Sequence, residues 1–175
     1  MKKIILALLI SVGLYAGGNY YPCDKFQPYG YIGGGAIYAE FNKESDNLGF
    51  QGQAGYMLFG EDNFSFGVEG RIGYASVDIL DATYYSGFAK VEYDKDKFGV
   101  YGLLGYGTAD YSIKYDYLSI SDSTSDFTWG AGLKYDLKNF SIFIDYTVLP
   151  DYEVGTDTID SDIVTLGVNY KFGGF

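Results

Sequence analysis

Near the C-terminus the run Ile163-Val164-Thr165-Leu166-Gly167-Val168-Asn169-Tyr170-Lys171-Phe172 alternates apolar with small or polar residues. Successive side chains of a strand point to opposite faces. Val164, Leu166, Val168, Tyr170 and Phe172 therefore form one apolar stripe, and Thr165, Gly167, Asn169 and Lys171 form the other. An apolar stripe toward lipid and a polar one toward an interior is the pattern of a strand in a transmembrane barrel.

The same split recurs upstream. Phe64, Phe66, Val68, Gly70, Ile72 and Tyr74 oppose Ser65, Gly67, Glu69, Arg71 and Gly73. Phe140, Ile142, Ile144, Tyr146 and Val148 oppose Ser141, Phe143, Asp145 and Thr147, while Phe127, Trp129, Ala131, Leu133 and Tyr135 oppose Thr128, Gly130, Gly132 and Lys134. Only Tyr31-Ile32-Gly33-Gly34-Gly35-Ala36 lacks a decisive parity, and a bulge is expected there.

Eight such segments span the chain: Tyr29 to Phe41, Leu48 to Phe59, Phe64 to Val77, Tyr84 to Tyr93, Phe98 to Tyr111, Asp126 to Tyr135, Phe140 to Leu149 and Asp162 to Phe172. Tight polar turns at Gly60-Glu61-Asp62-Asn63, Asp94-Lys95-Asp96-Lys97 and Asp136-Leu137-Lys138-Asn139 alternate with longer loops near Asn42 to Asn47, Asp78 to Thr83, Ser112 to Ser125 and Pro150 to Ser161. With Gly 25, Tyr 20 and Phe 13, helices are disfavoured. The fold class is all-β, an eight-stranded antiparallel up-and-down transmembrane β-barrel. Its even strand number leaves no open edge.

The compartment follows from the N-terminus. Lys2 and Lys3 precede an apolar stretch, Ile4 to Ala16, that is too short to span a bilayer as a helix. Residues 1–18 read as a secretion signal peptide, cleaved after Ala16 or Gly18, and residues 19–175 as the barrel domain. Short turns and both termini are expected in the periplasm and the long loops outside the cell, in a bacterial outer membrane.

Aromatics gather at both ends of the strands: Phe59, Phe64, Tyr93, Phe98, Tyr135, Phe140 and Phe172 toward the turns, and Tyr74, Tyr84, Tyr85, Tyr111, Phe127, Trp129, Tyr146 and Tyr152 toward the loops. These are expected to form two interfacial girdles. Glu69, Arg71, Lys90, Glu92, Lys134, Asp145 and Lys171 all fall on the polar parity. Eight strands leave little bore, so these groups are expected to pair across the lumen. One reading is a plug of ion pairs that sets register; the other is a gated ion path. Gly67, Gly73, Gly130, Gly132 and Gly167 would give the long side chains room.

The opening Tyr29-Gly30-Tyr31-Ile32-Gly33-Gly34-Gly35, the hairpin rhythm and the aromatic last strand together resemble the small eight-stranded outer-membrane barrels typified by the OmpA transmembrane domain and OmpX, opacity-type proteins included. That resemblance implies a C-terminal aromatic read by the barrel-assembly machinery. Tyr170 and Phe172 are in phase with the lipid-facing stripe, whereas Phe175, after Gly173-Gly174, has the opposite parity and is the alternative. It also implies contact with outer-membrane lipid and lipopolysaccharide. Enzymes similar to this family use a rim histidine, and this chain has His 0, so no catalysis and no cofactor are expected.

Fourteen acids lie in or beside the long loops against Lys43 and Lys114, an excess of twelve negative charges. Such a rim argues against nucleic acid and anionic partners, and it is a candidate for divalent cations bridging to lipopolysaccharide phosphates, with a solvated surface as the plainer reading. Cys23 stands alone and reads as an inert thiol or a periplasmic-side mixed disulfide, with an intermolecular disulfide as the alternative. The expected function is an integral outer-membrane barrel with an envelope-integrity role and acidic, adhesion-type surface loops. The alternatives are a narrow ion-conducting pore and a soluble periplasmic ligand-binding barrel with its apolar face inside.

Overall fold

The computed structural model describes residues 26–41, 45–77, 80–115, 118–150, 152–154, 157–159 and 161–173; within these, the side chains of 39–41, 45–47, 76–77, 80–82, 111–115, 118–122, 152–154, 157–159 and 161 are left aside. The signal segment, Cys23 and Phe175 lie outside the described residues, as do most of the loop-acid side chains.

Ten strands follow in order: β1 (Tyr29–Phe41), β2 (Ser45–Glu61), β3 (Phe64–Val77), β4 (Leu80–Lys95), β5 (Phe98–Tyr115), β6 (Leu118–Leu137), β7 (Phe140–Val148), β8 (Tyr152–Val154), β9 (Asp157–Ile159) and β10 (Ser161–Phe172). Eight of them, β1 to β7 and β10, close into one antiparallel barrel in which each strand pairs with its sequence neighbours and β1 pairs with β10. The β8–β9 hairpin sits in the connection between β7 and β10.

The register fixes the bore. Following cross-strand partners from Gly30 through Tyr56, Val68, Ala89, Leu104, Trp129, Val148 and Asp162 returns the path to β1 at Glu40, a stagger of ten residues. With a rise of ~3.3 Å per residue and ~4.8 Å between strands, eight strands staggered this far tilt by about 41° and close at a radius of about 8 Å. Only side chains fit inside such a cylinder.

Two-residue turns join the strands at one end. Asp62, Asp96 and Lys138 each take positive φ at the first turn position (54°, 57° and 49°), which the right-handed twist of a tight hairpin requires. The second residue of each turn accepts a backbone bond from the next hairpin: Asp94 N–H to Asn63 at 2.8 Å, Asp136 N–H to Lys97 at 2.7 Å and Lys171 N–H to Asn139 at 2.6 Å. The turn-side rim is thus one hydrogen-bonded belt.

At the other end the expected loops are largely strand. The β5–β6 ladder continues to Tyr115 and Leu118, well into the expected loop Ser112 to Ser125. Thr108 and Ser125 hydroxyls meet at 2.8 Å and the Tyr106 hydroxyl donates to the Ser125 carbonyl at 3.2 Å, tying the hairpin above the barrel. Beyond lipid neither face needs apolar residues, so alternation fades while backbone pairing persists. β5 and β6, at 18 and 20 residues, are about twice the ~9–11 a crossing strand needs. The bulge is also displaced from its expected place. β1 pairs continuously on both sides, and the register shift lies in β2 between Met57 and Phe59.

Parity sorts the two faces throughout the described strands. Outside lie Phe50, Val68, Ile72, Leu104, Ile144 and Leu166, 44 to 65% exposed; inside lie Glu69, Arg71, Lys90, Lys134 and Asp145, nearly fully buried. This overturns the soluble-barrel alternative, which needs the opposite polarity. Cross-strand aromatic pairs ring the exterior. Near the turns stand Phe64–Tyr93 at 4.9 Å, Phe98–Tyr135 at 4.8 Å and Phe140–Tyr170 at 5.2 Å; at the far end stand Phe50–Tyr74 at 5.8 Å and Trp129–Tyr146 at 6.2 Å. Tyr84 does not belong to a girdle: it faces the lumen and its hydroxyl donates to Gln51 Oε1.

Inside, aromatic rings lie opposite glycines on neighbouring strands: Tyr31 on Gly55, Tyr84 on Gly73, Phe88 on Gly105, Tyr101 on Gly132 and Phe143 on Gly167. The glycines expected to make room for ionic chains therefore chiefly accommodate rings. A Cβ at Gly132 would lie 2.6 Å from the Tyr101 hydroxyl and 2.7 Å from Asp145 Cβ, whereas one at lipid-facing Gly87 would meet nothing within 4 Å. Gly132→Ala is expected to destabilise the refolded barrel by about 1–3 kcal/mol and Gly87→Ala by less than about 0.5 kcal/mol, measured by urea unfolding in vesicles. Equal midpoints for the two variants would remove the ring-on-glycine packing as a stability determinant.

Candidate functional site

Polar parity places the charged side chains of β3, β4, β6, β7 and β10 in the lumen, and their positions along the strands set them from its middle to the turn-side rim. There they form one chain of alternating sign. The Arg71 guanidinium sits between two acids: Nε donates to Glu69 Oε1 at 2.6 Å, and Nη1 and Nη2 reach the two oxygens of Asp145 at 3.1 and 2.8 Å. Its planar fork matches the carboxylate, a geometry that a lysine ammonium cannot reproduce. Nη1 also donates to Thr147 Oγ1 at 3.2 Å.

From Glu69 the chain passes to Lys90, whose Nζ lies 3.0 Å from Glu69 Oε2 and 2.9 Å from Glu92 Oε1. The ammonium is also held between the rings of Tyr31 and Tyr101, 4.6 and 4.3 Å from their centroids, where cation–π attraction compensates for lost water. Glu92 Oε2 meets Lys134 Nζ at 2.6 Å. Lys134 contacts Asp94 at 3.0 Å and Asp136 at 3.8 Å, and Asp136 holds Lys171 at 2.7 Å. Tyrosine hydroxyls occupy remaining carboxylate positions: Tyr101 donates to Asp145 at 2.8 Å, Tyr29 to Glu92 at 3.2 Å and Tyr31 to Glu69.

All seven charged residues singled out in the sequence lie in this network. Asp94 and Asp136, read there as turn residues, are its missing acids; continuing the parity of Lys90-x-Glu92 and Lys134 by two residues finds both. Nine members give five acids and four bases, one residual negative charge at the turn-side rim where Asp94 and Asp136 are partly exposed.

Beside the ion pairs runs an amide relay, in which Gln53 is the register partner of Arg71. Gln51 Nε2 donates to Gln53 Oε1 at 2.9 Å and Gln53 Nε2 to Asn169 Oδ1 at 2.8 Å. Periodicity puts these amides inside but gives no hint that they form a line, because β2 and β10 meet β1 from opposite sides. Toward the far end the buried lumen residues become apolar: Ile37, Ala75, Ala109, Leu149 and Ile163. Ionic and amide groups thus share the turn-side and middle bore, and beyond them Ile37 and Ile163 lie opposite the buried threonines Thr165 and Thr147. Among the described residues no group of three acids, histidines or cysteines is arranged to hold a metal ion.

Of the expected assembly-signal residues, Tyr170 and Phe172 face outward. Phe172 lies opposite Gly30, and Gly173 turns the chain with φ of 77° immediately after it.

Residues 4–172 match the family model described as outer membrane protein beta-barrel domain. Among solved structures, the chain is similar to Ail, the attachment invasion locus protein of Yersinia pestis, with 22% identity and a TM-score of 0.59 over 85% of this chain and 100% of that one. It is also similar to the N-terminal β-barrel domain of Pseudomonas aeruginosa OprF, with 18% identity and a TM-score of 0.57 over 81% and 97%. Neisserial surface protein A gives 17% identity and a TM-score of 0.54 over 83% and 97%. At these identities the likeness is one of fold. No curated protein sequence matches the chain.

Removing one member of a buried ion chain leaves its partners desolvated and uncompensated. Arg71→Met is expected to destabilise the barrel by about 3–5 kcal/mol, and Arg71→Met with Asp145→Asn by clearly less than the sum of the two single changes. A urea-unfolding double-mutant cycle in vesicles measures both; strict additivity would show that the pair is not coupled.

Proposed function

We propose, from the premise that this chain belongs to the outer membrane protein beta-barrel family, that it is a plugged structural barrel serving envelope integrity. The observation that carries the reading is the filled lumen. A continuous chain of ion pairs from Asp145 to Lys171 runs beside the Gln51–Gln53–Asn169 amides, and buried Ile37 and Ile163 lie beyond them toward the far end. An ion crossing this bore would have to separate charges already desolvated and paired and then pass buried Ile37 and Ile163, both unfavourable in a narrow, low-dielectric space. The role is non-enzymatic, and the mature domain is residues 19–175.

The two-residue turns and both termini belong to the periplasmic side, as short turns do in bacterial barrels, and the β5–β6 extension to the outside. Phe172 supplies the aromatic for the assembly machinery. External contacts are made by the segments beyond the far girdle. For the similar protein Ail, a structure exists in complex with the heparin analogue sucrose octasulfate. In this chain the segments beyond the far girdle carry the excess of acids noted in the sequence, so its external partner is cationic or reached through a divalent cation rather than a sulfated polyanion.

Two experiments test the reading. Refolded protein whose heat-modifiable migration proves insertion is expected to give no single-channel steps in planar bilayers; steady, salt-dependent steps would replace the plug with a pore. On immobilised heparin at about 150 mM salt, where a Debye length of ~8 Å leaves surface charge effective, the protein is expected in the flow-through. Retention would overturn the proposed partner chemistry.

A further inference from the structure

The outer surface carries an apolar groove of about 430 Å³ on the β4–β5–β6–β7–β10 side. Two adjacent cross-strand rows line it. One runs Tyr93, Val100, Leu133, Ile144, Leu166, each the register partner of the next. The other begins at Lys95 and continues through Phe98, Tyr135 and Ile142. Because the rows follow the hydrogen-bonding direction of tilted strands, the groove slants. It starts at the turn-side rim beside Lys95 and climbs toward the middle of β10.

Four strand-to-strand steps of ~4.8 Å make the groove about 19 Å long, and at the tilt set by the register it rises about 13 Å. One leaflet of a ~30 Å hydrocarbon core is about 15 Å deep. The groove therefore begins at a headgroup level and ends near the bilayer centre, the path of one acyl chain of one leaflet.

Its mouth bears a charge with no ion-pair partner among the described residues. Arg71, Lys90, Lys134 and Lys171 are all ion-paired inside, whereas Lys95, on the lipid-facing parity, has no ion pair among the described side chains. Lys97 in the adjoining turn is likewise unpaired, with the exposed Asp96 between them. An ammonium at the interface above a leaflet-deep apolar groove complements a phosphate joined to an acyl chain.

We infer that this groove is a docking site for one anionic phospholipid of the periplasmic leaflet, with its phosphate on Lys95 and an acyl chain between the two rows. The leaflet assignment rests on the orientation proposed above. Full-length mature protein released from micelles doped with equal phosphatidylglycerol and phosphatidylcholine, and examined by native mass spectrometry, is expected to retain one phosphatidylglycerol in preference. Lys95→Gln is expected to lower that selectivity about fivefold, the worth of one interfacial lysine. Val100→Trp, which fills the groove from the lipid side, is expected to abolish retention while the barrel still shows heat-modifiable migration. Equal retention of the two lipids by the wild type, or unchanged selectivity in Lys95→Gln, would overturn the site. Orientation is read separately by treating intact cells carrying Cys23→Ser and Lys95→Cys with an impermeant maleimide. Labelling would overturn the orientation and with it the leaflet, whatever the selectivity result.

Discussion

In a bilayer core no water is present to satisfy backbone N–H and C=O groups, so a chain that crosses as strands must pair every strand on both sides. Closure of β1 onto β10 is the event on which the other features depend. With eight strands and a stagger of ten, closure sets a radius of about 8 Å, and that narrowness dictates what the interior can hold. Charges placed there have no solvent and must find one another. Bulky rings placed there must lie against residues without side chains.

Both demands are met by cross-strand register. Tyr101 lies on Gly132, while its hydroxyl reaches Asp145, which grips Arg71 from the other side of the bore. Ring-on-glycine packing and the ion chain are thus one assembly, and a change in either is felt by both. Lys90 belongs to both in the same way, paired with Glu69 and Glu92 and flanked by two tyrosine rings.

The exterior answers a different solvent. Its apolar residues need no partner within the chain, and glycines such as Gly87 face open space. Aromatic pairs mark the two interfaces. Between the girdles the surface is relieved by rows of differing bulk, and the row holding Val100 and Leu133 lies beside the larger Phe98 and Tyr135. A polar lumen and a contoured lipid face come from the same strands because parity separates the two tasks residue by residue.

By itself the sequence determined strand number, the inside and outside of nearly every strand, the tight turns and the seven lumen charges, since period-two alternation reports directly on which solvent each face meets. It was silent where that contrast disappears. Ser112 to Ser125 alternates with nothing because both faces of the projecting hairpin lie outside lipid, yet backbone pairing carries the strands on. Asp94 and Asp136 looked like turn residues until the rim folded them onto Lys134. Tyr84 reads as one of many loop-end aromatics, although it shares the parity of Lys90 and Glu92, and its place opposite Gly73 with its hydroxyl on Gln51 assigns it to the lumen. The tertiary structure decided who partners whom: the stagger of ten, the line from Asp145 to Lys171, and the bulge in β2 rather than β1. Those depend on distances between strands far apart in the chain, which a local alternation cannot encode.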